Sequence, residues 1–217
     1  MTIVAKTLSE QVYSLVRDRI LSNELPANLP IRQDALAKEL GVSKIPLREA
    51  FARLERDGLL QSVTNRGFFV YPLSAKEAEE VYALRLKMEP EAVGRAAKKA
   101  TAEDKAIART ALNLLDKAAA NDRVAVGRLN REFHMTLVRP IRQLITVSII
   151  ERLNLIAERY VHKHLEPAGR RKRAKKEHTE MFEAWCAGQS KVVESMMYDH
   201  IASTLEDLRN QIEIQNS

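Results

Sequence analysis

The stretch that most limits what this chain can fold into runs from Asp34 to Arg56, DALAKELGVSKIPLREAFARLER, which reads as two short helices meeting at a sharp turn. Leu36, Ala37 and Leu40 share one face of the first helix, and Gly41 follows as a residue free to take the left-handed conformation that ends a helix. Val42 begins the turn, Ser43 is placed to cap the second helix, and Pro46 falls in its first turn, where a missing N–H costs nothing. Leu47, Ala50, Phe51 and Leu54 then form a buried stripe at helical spacing. The opposite side and the N-terminal end carry Ser43, Lys44, Arg48 and Arg53, the groups a recognition helix offers to phosphates and guanine edges. An ordinary helical hairpin with a solvated basic face has the same pattern, so flanking sequence must separate the two.

Asp57-Gly58 stops the helix, and two β-prone runs, Leu60 to Thr64 and Phe68 to Tyr71, are joined by Asn65-Arg66-Gly67, a loop suited to a hairpin. Upstream, Leu8, Val12, Leu15, Val16 and Ile20 form the apolar stripe of a leading helix that ends before Pro26, and Leu29-Pro30-Ile31 leads into the two-helix unit. Three helices followed by a hairpin is the order of a winged helix-turn-helix.

ALAKELGVSKIPLREAFARLERDGLL followed by NRGFFV resembles the N-terminal domain of GntR-type bacterial transcription regulators. The resemblance implies double-stranded DNA as partner, with Ser43, Lys44, Ile45, Pro46 and Arg48 at the recognition-helix positions that meet it. It also implies that Arg66 and Gly67 stand at the wing, Gly67 at the tip that reaches the minor groove. Lys44 stands where the family more often has arginine, and a lysine makes a point contact where arginine makes a planar fork. The resemblance further implies a homodimer reading a palindromic operator.

Composition is compatible with this without deciding it. The net charge is +6, yet up to Pro72 there are ten basic and eight acidic residues, so DNA binding would rest on local placement of charge. A single cysteine, Cys186, excludes an internal disulfide framework and fits a reducing cytoplasm. The N-terminus lacks the apolar core of a signal peptide, and no run approaches the roughly twenty apolar residues of a membrane span. The expectation is a cytoplasmic protein with no membrane contact.

Pro72-Leu73-Ser74 reads as a boundary between a winged domain at 1–73 and a second domain at 74–217, and Ser74-Ala75-Lys76-Glu77 has capping-box spacing. Beyond it helical signals run unbroken, with Glu89-Pro90 either kinking one helix or splitting it. The expected fold class is mainly α: the winged unit of three helices and a β-hairpin, then an all-α antiparallel bundle of six or seven helices.

Three histidines lie on the inward sides of three different helices of that bundle. His134 is one position past the Leu129, Phe133, Leu137 stripe, His178 opens a stripe continued by Met181, Phe182 and Trp185, and His200 sits among Val193, Met197, Ile201 and Thr204. A lone histidine on an apolar face is usually a satisfied core residue; three matter only if they converge. Asn130, four residues before His134, shares its face, and an i, i+4 pair plus single ligands from two other helices can hold a metal inside a bundle. RLNREFH, KEHTEMFEAWCAGQ and MMYDHI are similar to the pattern of the FCD effector domain that follows the winged helix in one branch of the GntR regulators. The resemblance implies that Asn130, His134, His178 and His200 bind a divalent ion (zinc, nickel or manganese) whose free positions accept a small organic acid. It usually places Asp at the Asn130 position; an amide can ligate but is neutral, which leaves the site more positive.

Arg85, in YALRLKME, matches a family arginine and reads as a structural ion pair or as a clamp on the effector's carboxylate. His162 and His164 read as surface or helix-end residues, and the run Arg170 to Lys176 as a solvated face or a contact for DNA phosphates. Two other readings of the second domain remain at this point: a sensor of the metal itself, and a metal-dependent enzyme. The enzyme would need a general base, and Glu177 points about a hundred degrees away from His178 on the same helix.

Overall fold

The structure, a computed structural model, describes residues 7–27, 29–121, 123–164 and 170–216. It divides into two compact units, Met1–Leu73 and Ser74–Ser217.

In the first unit, α1 (Leu8–Leu21) starts at a capping box in which the Thr7 hydroxyl accepts from the Glu10 amide and the Glu10 carboxylate accepts from the Thr7 amide. Its buried face is Val12, Tyr13, Val16, Ile20 and Leu21; Leu8 and Leu15, expected on the stripe, are exposed. α2 (Gln33–Glu39) and α3 (Lys44–Arg56) follow, joined through Gly41 at φ +64°, a conformation costly for a residue with a Cβ. Ser43 occupies the N-cap of α3 but makes no side-chain capping bond. Leu47, Phe51 and Leu54 are fully buried, and Phe51 meets Phe68 edge-on at 5.1 Å between ring centroids.

β1 (Leu60–Val63) pairs antiparallel with β2 (Gly67–Val70), Leu60 opposite Val70 and Val63 opposite Gly67. The segment before α2 joins them: the Ile31 amide donates to the Phe68 carbonyl at 2.8 Å. The base of the wing is thereby tied to the entry of the helix-turn-helix.

The second unit is a helical bundle: α4 (Ala75–Ala97), α5 (Ala102–Asn121), α6 (Arg123–Val138), a 3₁₀ turn (Arg139–Ile141), α7 (Leu144–His164), α8 (Arg170–Cys186) and α9 (Ser190–Asn216). α4 continues through Pro90 as one helix, so the bundle has six α-helices among the described residues. The Ser74 hydroxyl accepts from the Glu77 amide, but the Glu77 carboxylate bonds the Tyr160 hydroxyl at 2.7 Å instead of closing the box. α4 packs on α9 and α7, and Gly94 makes the first contact possible: a Cβ there would lie 2.8 Å from the Ser190 carbonyl oxygen. Trp185 of α8 is fully buried and donates from Nε1 to the Leu137 carbonyl at 3.1 Å, fixing α8 against α6. No helix among the described residues is long and apolar enough to cross a membrane.

Candidate functional site

In the first unit, burial of Leu47, Ala50, Phe51 and Leu54 leaves the opposite face of α3 to solvent. Ser43, Lys44, Ile45 and Arg48 are exposed and Pro46 is half-buried. The Lys44 ammonium lies 2.7 Å from Asp34, both well exposed. Arg53 is exposed as expected, and its guanidinium stacks on the Tyr13 ring of α1, 4.0 Å from the centroid, while the Tyr13 hydroxyl donates to Asp57 at 2.6 Å. On the wing, Arg66 is exposed at the tip with its guanidinium 5.6 Å from the Phe69 ring centroid, and Gly67 has φ +87°.

In the second unit α6, α8 and α9 bring His134, His178 and His200 together. One ligand atom from each lies within 4.8 Å of the others. Nε2 of His178 and Nε2 of His200 are 3.4 Å apart, close to the separation of about 3.3 Å that two nitrogens have on a tetrahedral ion with bonds near 2.05 Å.

Behind two of the rings stand carboxylates. Glu89 Oε1 lies 3.0 Å from Nδ1 of His134, and Glu177 Oε2 lies 2.7 Å from Nδ1 of His200. A carboxylate on Nδ1 holds the proton there and leaves Nε2 with its lone pair free, as metal-binding histidines need. His134 Nε2 is buried with no hydrogen-bond partner. Such an atom costs free energy unless something fills its lone pair, so the residues present fit a divalent cation.

The electrostatics agree. Burial pushes the His134 imidazole down to about 4, against the opposing pull of Glu89. Burial, with repulsion from His200 and His134, lowers His178 well below the ordinary range. Both rings are neutral at pH 7, the state in which imidazole binds a metal.

Glu89 is the hub of this arrangement and is fully buried. Arg85 donates to it from Nε at 2.9 Å and from the second nitrogen at 3.3 Å, and Asn154 Nδ2 donates at 3.0 Å. Burial opposes its charge, but Arg85 and His134 together hold the carboxyl well below the usual range. Arg85 is 4% exposed, pairs with Glu89 and lies over the Tyr82 ring. On the other side, Glu177 is also 3.3 Å from Arg173.

Asn130 lines a cavity of about 40 Å³ that His178, Asp116 and Lys175 also border. Lys175 pairs with Asp116 at 3.2 Å, Arg173 with Asp207 at 2.9 Å, and Lys176 with Glu180 at 3.7 Å. That much of the basic run is balanced by acids of its own unit. The side chains of Arg170 and Arg171, and those of His162 and His164, lie outside the described residues.

Sequence reasoning missed Glu89, Asn154 and the engagement of Glu177 with His200. The i, i+4 spacing of Arg85 and Glu89 was a visible signal for their ion pair. Nothing local pointed to His134, 45 residues further on.

Residues 8–70 match the gntR family of bacterial regulatory proteins, and residues 80–203 match the FCD domain. The HTH-type transcriptional regulator YdhC of Bacillus subtilis (strain 168) is 35% identical over 130 residues, 59% of this chain and 58% of that protein. The Nta operon transcriptional regulator of Aminobacter aminovorans is 37% identical over 108 residues, 50% of this chain and 51% of that protein, so these matches span little more than half the length of either relative. The HTH-type transcriptional repressor RspR of Escherichia coli (strain K12) is 24% identical over 218 residues, 97% of this chain and 92% of that protein. Among solved structures, E. coli McbR/YncC superposes with a TM-score of 0.79 at 22% identity, covering 96% of this chain and 100% of that one, a likeness of fold.

Proposed function

The chain belongs to the gntR family of bacterial regulatory proteins and carries an FCD domain, and from that premise we propose that it is a DNA-binding transcription regulator whose operator affinity is set by a small organic acid at a divalent-metal site in the helical unit. The observation that carries the metal part is the convergence of three histidines on one point with His134 Nε2 buried and unpartnered.

His134, His178 and His200 would hold the ion, with Asn130 as a fourth donor. A bound divalent ion supplies a positive charge and open coordination positions for carboxylate oxygens. This chain's own residues set the charge balance there. Arg85 balances Glu89, whereas Arg173 is shared between Glu177 and Asp207 and leaves one net negative charge there, less than a divalent ion carries. The three imidazoles and the Asn130 amide add none. The site therefore favours an anionic ligand. The cavity at Asn130 and His178, about 40 Å³, is room for a few waters, while a more open one of about 280 Å³ borders His200, Glu177 and Arg173.

The DNA-binding part rests on the exposed N-terminal turn of α3, with Ser43, Lys44, Ile45 and Arg48 turned outward, and on the wing carrying Arg66 and Gly67. A homodimer on a palindromic operator follows from the short half-site that one such unit can read. Regulation rather than catalysis is favoured because Glu177 is engaged by His200 Nδ1 and Arg173.

The test combines three variants, His134→Ala, His178→Ala and His200→Ala. Native mass spectrometry should find a bound divalent ion in the parent protein and not in the variants. Operator binding should persist in the variants but lose its response to a panel of small mono- and dicarboxylic acids. Full switching by metal with no acid would make the protein a metal sensor, and turnover of a bound acid would make it an enzyme. Metal-free parent protein that responds normally to an acid would sink the metal part.

A further inference from the structure

The first turn of α3 exposes a large apolar side chain that the fold does not use. Ile45 is 71% exposed, while Leu47, Phe51 and Leu54 of the same helix are completely buried. It stands on the solvent side, away from the core stripe, so truncating it removes little packing. Its neighbours differ in how free they are. Lys44 is held at 2.7 Å by Asp34, which balances its charge locally. Arg48 is exposed and has no ion-pair partner among the described residues. Residues 45 and 48 are three apart, so they are neighbours on the helix surface. Their separation along the axis is about 4.5 Å, close to the rise of about 3.4 Å per base step.

We propose that Ile45 is a specificity-determining residue that reads the 5-methyl group of a thymine in the major groove, within two base pairs of a guanine read by Arg48. The thymine methyl is the only apolar group that a base pair presents in the major groove, and an apolar side chain in the first turn of a recognition helix is its natural complement. The cluster Lys44, Ile45 and Arg48 then divides the labour. Arg48 takes the guanine acceptors, Lys44 exchanges Asp34 for a phosphate, and Ile45 discriminates thymine from cytosine by a contact that has no hydrogen bond in it. The proposal rests on the DNA-binding reading above and adds the base that is read.

The test uses the full chain and two libraries of random duplex DNA, one containing thymine and one with uracil in its place throughout. Uracil keeps every hydrogen-bonding group of thymine and lacks only the methyl. Selection from the thymine library should enrich one thymine per half-site that the uracil library does not enrich. Deoxyuridine at that single position of the selected duplex should lower affinity about fourfold, the worth of one methyl-sized apolar contact. The same replacement should have no further effect on Ile45→Ala and should keep most of its effect on Ile45→Val. Thermal stability of both variants should match the parent. Equal enrichment from both libraries, a methyl effect of the same size in Ile45→Ala, or unfolding of that variant would overturn the proposal. If neither library enriches any sequence, the DNA-binding reading fails as well, and the two failures are thereby told apart.

Discussion

Among the described residues, the winged unit buries apolar side chains and Tyr13 and no other polar group, and it turns Lys44, Ile45, Arg48 and Arg66 to solvent. The helical unit does the reverse. Arg85, Glu89, Arg131, His134, Asn154, Glu158 and His178 are all buried there, and the candidate site is part of the core. In the first unit a residue can change its contact with a partner without touching what holds the fold together. In the second, the groups that would bind are the groups that satisfy one another, so binding and stability are coupled through the same hydrogen bonds.

The largest expected effect follows from that coupling. Glu89→Ala leaves Arg85 buried without its carboxylate, which should cost the helical unit about 3 to 5 kcal/mol. Trp185, the only tryptophan, lies in that unit, so fluorescence-detected unfolding isolates its transition. A shift below 1 kcal/mol would mean that the buried network contributes little and that the contrast between the units is superficial.

Acid sharpens the same contrast. The folded value of His134 is about 4 against about 6.5 unfolded. Between those values the unfolded chain binds the extra proton, so stability is fully present above about 6.5 and falls with pH toward the folded value. His134 alone should cost the metal-free helical unit about 2 kcal/mol by pH 5, and His178 acts in the same direction. Residues 1–73 contain no histidine. Urea unfolding at pH 7 and pH 5, read by Trp185 and by backbone signals of the winged unit, should show the first transition moving and the second staying. Equal movement of both would break the comparison.

For the winged unit the expected signature is binding lost at constant stability. Arg48→Ala should weaken operator binding by about 1 to 3 kcal/mol, while its melting temperature stays at the parent value. Normal operator binding would remove Arg48 from the recognition surface, and unfolding would show that its exposure is misleading.

The smallest effect has two opposite signs. Asn130→Asp adds a charged oxygen to the wall shared with His178, and should tighten a divalent ion and weaken a carboxylate, each by about tenfold. Calorimetry of metal and then of carboxylate on the variant measures both. Affinities moving together would show that charge at position 130 does not tune the site.

The order of elements was legible in the sequence because it is written in local signals. Gly41 ends one helix and Pro46 is best accommodated in the first turn of the next, and the stripe Leu47, Ala50, Phe51, Leu54 then sets which way Ile45 and Arg48 face. The same periodicity placed three histidines on inward faces. Local signals did not carry what happens across helices: Arg53 is exposed as its spacing implies but also stacks on Tyr13, and Glu77 has the right spacing for a capping box but serves Tyr160. By itself, then, the sequence determined which face of each helix is buried, since a period of 3.6 residues fixes a side chain's direction about its own axis. Which buried side chains meet was decided only by tertiary packing. Glu89 reaches His134 across 45 residues and Asn154 across 65, and those pairings depend on how α4, α6 and α7 are rotated and offset against one another. No periodicity within one helix encodes that offset; it is set by the fit of side chains between helices, where one ring nitrogen of His134 ended against a carboxylate and the other facing two more histidines.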